Sequence, residues 1–171
     1  MSEYRFCPVC GSGLELKQDI DGVGQLTCEA CSFVLYRNSK PCSGALVIWD
    51  GQVLLVKRAL EPHKDQWDIP GGFLEDGEHP ENGARRELLE ETGLTVRLTG
   101  LVGMFIDLYP GPMVTDHTLN IYYTAEIVSG VARPASDAAA MEWFPADKLP
   151  EPIGFKHCRD ALAAWRASIK A

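Results

Sequence analysis

The stretch Gly72–Leu94, GFLEDGEHPENGARRELLEETGL, decides how this chain is read. At helical spacing Glu87 meets both Glu90 and Glu91 on one face, because side chains three and four apart are neighbours. Like charges gathered this way destabilise an isolated helix. A divalent cation that neutralises them is the simplest reason to keep them, and hard oxygen donors suit magnesium or manganese. The flanks spell a strand, a loop and a helix. Trp67-Asp68-Ile69 reads as an apolar strand end, and Pro70-Gly71-Gly72 turns sharply. Asp76-Gly77 is a second turn signal. Pro80 suits a first helical turn, with Glu81 at the positive end of the dipole. The helix is expected to run to Thr92, where Gly93 supplies a left-handed cap. Ala84, Leu88 and Leu89 are expected to dock on a sheet, and Arg85 and Arg86 to pair with the acidic side.

These residues resemble the Nudix box, G-x5-E-x7-R-E-U-x-E-E-x-G-U with U aliphatic. Its fixed positions fall on Gly72, Glu78, Arg86, Glu87, Leu88, Glu90, Glu91, Gly93 and Leu94, and every one matches. From average residue usage, chance agreement at a given start is on the order of one in a billion. The resemblance implies that Glu87, Glu90 and Glu91 bind catalytic magnesium or manganese, with Glu87 also a base candidate. It implies that Arg86 orients a box glutamate, that Gly72 offers its carbonyl to a metal, and that Glu78 supports the loop. In weaker form it extends from about Gly44 to Leu149.

Cysteine is the second signal. Cys7-Pro8-Val9-Cys10 and Cys28-Glu29-Ala30-Cys31 are two C-x2-C pairs separated by 17 residues. Each pair forms a tight knuckle, and four thiolates complete a tetrahedron around zinc. Two disulfides would suit a secreted protein, and MSEYRFCPVC carries no basic-then-apolar export signal. With every position filled by sulfur the site is structural, not catalytic. Between the pairs lie strand-like pieces, Leu14–Lys17 and Gln25–Thr27, so residues 1–40 read as a zinc ribbon and 41–171 as the catalytic domain. Cys42 and Cys158 read as small, partly buried hydrophobes.

Further along, Cys42–Trp49 and Gln52–Arg58 read as strands joined by an Asp50-Gly51 hairpin turn. Val96–Ile106, bent near Gly100 and Gly103, and Leu119–Val128 read as strands. Glu142–Pro145 reads as a short strand or turn, Asp147–Leu149 as a single helical turn, and Phe155–Ser168 as a closing helix. Strands with helices on both sides suggest an α/β sandwich. The resemblance implies the Nudix α/β/α sandwich with a mixed sheet.

Net charge is −8, from 16 basic and 24 acidic residues, which argues against a nucleic-acid-coating protein. A nucleotide substrate is compatible, because bound metals reverse the local field. No apolar stretch reaches the roughly 20 residues a membrane span needs, and a cytoplasmic location is expected. The ribbon is compatible with homodimerisation.

The expected reaction is a single displacement by water at phosphorus, since no nucleophile–base pair is apparent. Arg58, His63 and Trp67 surround the presumed entry: a basic group there could meet a distal phosphate, and Trp67 could stack on a base. A further acid from a downstream loop has four candidates, Asp107, Asp116, Asp137 and Glu142. His79, His117 and His157 are given no role. A ribbon ahead of a Nudix domain resembles NADH pyrophosphatases and a shorter group acting on ADP-ribose or FAD. The SQPWPFP motif of the first group is missing beyond the box. The expected order of substrates is therefore ADP-ribose, FAD, NADH. A nucleotide sensor or adaptor is the alternative of another class; loss of box glutamates would mark it, and none is lost.

Overall fold

A computed structural model describes residues 4–111 and 115–169. They fall into two compact units, one ending at Ser39 and one starting at Lys40. The first is a small antiparallel sheet of β1 (Glu15–Gln18), β2 (Gly24–Thr27) and β3 (Val34–Leu35) in the order β1-β2-β3. The sequence anticipates the first two strands to within a residue and misses the third, which is only two residues long.

The second unit holds β4 (Lys40–Trp49), β5 (Gln52–Arg58), β6 (Trp67–Asp68), β7 (Gly71–Phe73), α1 (Pro80–Thr92), β8 (Leu94–Pro110), β9 (Thr115–Gly130), β10 (Ala138–Pro145) and α2 (Lys156–Ser168). Its strands form one seven-stranded mixed sheet with the backbone order β10-β5-β4-β9-β8. Among the described strand pairs β4 and β9 run parallel and the others antiparallel. Asp50 and Gly51 have φ of 49° and 72°, as a two-residue hairpin turn requires.

Successive side chains on a strand point to opposite faces, and β4 and β5 use both. Leu46, Val53 and Leu55 join Phe155, Ala161, Leu162 and Trp165 beside α2. Ala45, Val47 and Leu54 join Leu88, Leu94 and Val96 beside α1. A helix thus covers each face, which is why these two strands read as unbroken apolar runs.

Three expectations are corrected. The strand expected over Val96–Ile106 is longer, and Gly100 and Gly103 mark register shifts within it; bulges absorb an extra residue without ending a strand. The helical turn expected at Asp147–Leu149 is a tight turn, in which the Lys148 amide donates to the Pro145 carbonyl at 3.0 Å. Leu89 is 52% exposed, because it lies off the face shared by Ala84 and Leu88. Among the described residues no helix is long and apolar enough to cross a membrane.

Splaying of β4 from β5 creates the site. The two strands pair only near their turn, at Ile48–Val53 and Trp49–Gln52. Beyond it the segment 67–73 crosses between them: β6 pairs with β5 and β7 with β4. That crossing brings Asp68 and the glycine pair against the acidic face of α1.

Candidate active site

The helix α1 is fixed at both ends. His79, given no role by the sequence, accepts the Glu81 amide on Nδ1 at 3.3 Å as the N-cap. Gly93 caps the other end at φ 69°, its amide reaching the Leu89 carbonyl at 3.0 Å. Between these ends the glutamates face β7. A Cβ on Gly72 would stand 2.6 Å from Glu87 Oε1, so only glycine allows the loop this close. The Gly71 amide donates to Glu91 Oε2 at 3.2 Å.

Arg86 organises the rest. Its Nε and Nη2 form a fork on the Glu78 carboxylate at 2.9 and 2.8 Å. Its Nη1 reaches Glu87 at 2.7 Å and Glu90 at 3.3 Å, and Nη2 also donates to the Phe73 carbonyl at 3.1 Å. Hydrogen bonds from Arg86, joined by the Glu75 loop, hold Glu78 down at about 2. Arg85 turns away to Glu81 and Asn82.

Glu91 has the opposite environment. It is 8% exposed. Burial, then the charges of Asp68, Glu87 and Asp137, push its carboxyl up to about 9. Burial raises Glu87 as well, against the pull of Arg86. Of the four downstream acids, Asp137 acts on both glutamates and lines the cleft beside them. Asp116 pairs with Lys40, Glu142 lies exposed on β10, and Asp107 binds His157. These crowded carboxylate oxygens are hard donors of the kind that suits magnesium or manganese.

Beside the glutamates opens a cleft of about 110 Å³. Its floor includes Ser43, Asp68, Asn120 and His157, and Phe73, Tyr109 and Phe155 wall it. Arg58 lines it too, with Nε on the Pro62 carbonyl at 2.7 Å, Nη1 on Asp68 at 2.9 Å and the guanidinium 4.9 Å from the Phe155 ring centre. Trp67 and His63 do not line it. The Trp67 ring packs edge-on against Phe144 at 4.9 Å on the α2-face core, and His63 packs edge-on against Phe155 at 4.6 Å.

A family model described as the NUDIX domain matches residues 40–165. The chain belongs to the NUDIX family. An ADP-ribose pyrophosphatase of Methanocaldococcus jannaschii is 31% identical over 123 residues, covering 72% of this chain and 71% of that protein. An NAD-capped RNA hydrolase NudC of Vibrio atlanticus is 29% identical over 154 residues, covering 88% of this chain and 53% of that protein. The chain thus spans about half of that relative's length. A crystal structure of a NUDIX hydrolase from Nitrosomonas europaea superposes with a TM-score of 0.80 at 26% identity, covering 96% of this chain and 92% of that one. The chain is therefore a NUDIX hydrolase, acting on pyrophosphate bonds.

Within the NUDIX site the Arg86 fork is testable. Lysine keeps the charge but cannot make two parallel bonds to Glu78. Arg86→Lys is expected to lower kcat/KM by roughly 10–100-fold, as loss of a ligand-orienting partner does. Steady-state kinetics at saturating magnesium checks it, and a change under twofold would refute the orienting role.

Sequence reasoning missed Asp68, whose only cue was an acid inside an apolar strand. It also undervalued Cys158, which is fully buried and meets Asp68 Oδ1 at 2.6 Å and the Tyr122 hydroxyl at 3.3 Å. Asp68, His157 and Cys158 converge. At 2.6 Å the Cys158 sulfur and the Asp68 oxygen are nevertheless in direct contact, well under the roughly 3.5 Å between two ligands of one ion with bonds near 2.0–2.3 Å. Cys42, half-buried, lines the cleft.

The first unit brings Cys7, Cys10, Cys28 and Cys31 together. Cys7 and Cys31 sulfurs are 3.6 Å apart, Cys10 and Cys28 sulfurs 3.5 Å. A disulfide needs about 2.0 Å, whereas a tetrahedron with zinc–sulfur bonds near 2.3 Å has edges of about 3.8 Å. The two knuckles repeat one design. The Gly11 amide reaches the Cys7 carbonyl at 2.9 Å, and the Ser32 amide reaches the Cys28 carbonyl at 2.8 Å. The donor set and spacing fit structural zinc.

Proposed function

We propose that this NUDIX hydrolase cleaves the pyrophosphate of a nucleoside diphosphate joined to a second moiety, ADP-ribose first, releasing AMP by attack of water at phosphorus. The observation that carries the reading is that Glu87 and Glu91 stand against Gly72 and Gly71, which with Asp137 line an aromatic-walled cleft. Glu87, Glu90, Glu91 and the Gly72 carbonyl would hold the divalent cation. When bound, such cations neutralise the pyrophosphate and lower the pKa of an attacking water. Arg86 and Glu78 keep the carboxylates aimed, and Asp137 is the downstream acid beside them. Arg58, anchored on Asp68 and Phe155, meets the substrate's charge. Zinc in the ribbon is structural, and residues 1–40 and 41–171 act as ribbon and catalytic domain. The enzyme works in the cytoplasm on a small nucleotide.

The ADP-ribose assignment rests on the M. jannaschii relative and on the sequence beyond the box. The test is AMP release from ADP-ribose, FAD and NADH side by side, with and without magnesium. ADP-ribose is expected to lead in kcat/KM by about tenfold or more, a margin one misplaced polar contact supplies. FAD or NADH in front would overturn the substrate. No AMP from any of them would favour the sensor reading.

A further inference from the structure

His157 is a histidine stacked with two aromatic rings and with one nitrogen left over. Phe155 stacks on it at 4.9 Å and 17°, and Tyr122 at 5.9 Å and 23°. Phe155, the residue before α2, makes no side-chain cap. Asp107, fifty residues away on β8, does that work instead. Its Oδ2 accepts the His157 amide at 2.9 Å and lies 3.1 Å from Nδ1 of the same residue. A carboxylate at a helix N-terminus is favoured by the dipole.

We infer that His157, oriented by Asp107, is a fixed hydrogen-bond acceptor in the cleft and selects substrates carrying an N–H or O–H donor away from the scissile phosphates. The inference rests on the nucleoside-diphosphate reading above.

The proton is placed by elimination. Burial works against the Asp107 charge, but the His157 and Leu108 amides and the imidazole outweigh it and hold the carboxyl below its usual range. An ionised carboxylate only accepts, so Nδ1 carries the hydrogen. Burial also pushes His157 down, against Asp68 and Asp107, so near neutral pH Nε2 keeps its lone pair. No Nε2 partner exists among the described residues, and none of their buried side-chain nitrogens or oxygens lacks one. Nε2 is therefore accessible, and His157 lines the cleft. Asp68 links the two ends: its charge acts on both Glu91 and His157. A ligand that brings no donor leaves Nε2 unpaired once water is expelled, and that is how a polar site rejects an analogue.

Three measurements test this on whichever dinucleotide leads the substrate panel, so that a wrong substrate assignment and a wrong histidine assignment give different results. Nitrogen-15 NMR of the imidazoles is expected to show His157 protonated at Nδ1 alone, with Nε2 shifting when AMP or magnesium-free substrate is added. His157→Phe is expected to raise KM by roughly tenfold while kcat stays within about threefold, and His157→Gln, whose amide oxygen can accept, to recover part of the loss. Substrates lacking the base amino group, or lacking one ribose hydroxyl, identify the donor. The relevant analogue loses about tenfold with the natural protein and nothing further with His157→Phe. A proton on Nε2, an unchanged KM in both variants, or equal analogue losses with and without His157 would overturn the inference. If the phenylalanine variant fails to fold, the glutamine variant and the wild-type spectra decide.

Discussion

Glu91→Gln is expected to make the protein nearly inactive and, in magnesium-free buffer, more stable. The loss of turnover should reach roughly a thousandfold, since each 1.36 kcal/mol of lost transition-state stabilisation costs about tenfold and a metal supplies several kcal/mol. The gain in stability has the same origin. Glu91 is buried among carboxylates, and its pKa rises to about 9. The folded protein then binds this proton more tightly than the unfolded chain does, so stability is full below the ordinary glutamate range. It falls as pH climbs from about 4.5 towards 9, with a slope near 1.4 kcal/mol per unit for one group. Several kcal/mol at pH 8 is the order of the penalty. Glutamine removes it, and about 1 kcal/mol moves the melting temperature of a chain this size by roughly 2–4 °C. Thermal unfolding from pH 5 to 9 should thus show a falling curve for the natural protein and a flatter one for the variant. Magnesium should restore the natural protein more than the variant. The buffer should contain no chelator, which would also strip ions from the cysteines. A variant with unchanged melting at pH 8 and near-normal turnover would remove Glu91 from the metal site.

The same helix shows what the sequence could and could not disclose. Glu87, Glu90 and Glu91, the Pro80 start and the Gly93 cap were legible because helical periodicity is local. So was the Asp50-Gly51 hairpin. Trp67 was not, although it sits beside the box. In a strand, neighbours point to opposite faces, so Asp68, which lines the cleft, sends Trp67 to the other side and onto Phe144. A residue next to a motif is therefore a poor candidate when its immediate neighbour already faces the site. Asp137 could not be told from Asp107, Asp116 and Glu142, since loop geometry rather than spacing sets its place. The pairing of Asp107 with His157 had no local trace; only the packing of α2 against the far end of β8 creates it. The grouping of carboxylates on one helix was readable, and the contacts assembled between distant segments were not.

Cys28→Ser is expected to abolish zinc binding at the four cysteines and to unfold residues 4–39. That unit buries few side chains. Among its described residues only Cys7, Leu26 and Cys28 are buried, while Phe6, Val9, Leu16, Ile20, Val23 and Tyr36 are exposed. Every residue of β1 is exposed. One buried leucine contributes about 1.5–3 kcal/mol, whereas ordering the backbone costs about 1–2 kcal/mol per residue. Hydrogen bonds of the short sheet narrow the deficit without closing it, at about 1 kcal/mol net each. A four-thiolate zinc site contributes about 10–16 kcal/mol, and binding is then inseparable from folding. Elemental analysis should find one zinc per natural chain and none in the variant. Amide exchange across Glu15–Thr27 should become fast in the variant while that of β4 and β5 stays slow. Cys42→Ser, the same change outside the cluster, controls for the substitution itself and should keep the ion. Retention of zinc by Cys28→Ser, or unchanged exchange in β1 and β2 after its loss, would mean that something other than the metal holds this small sheet together.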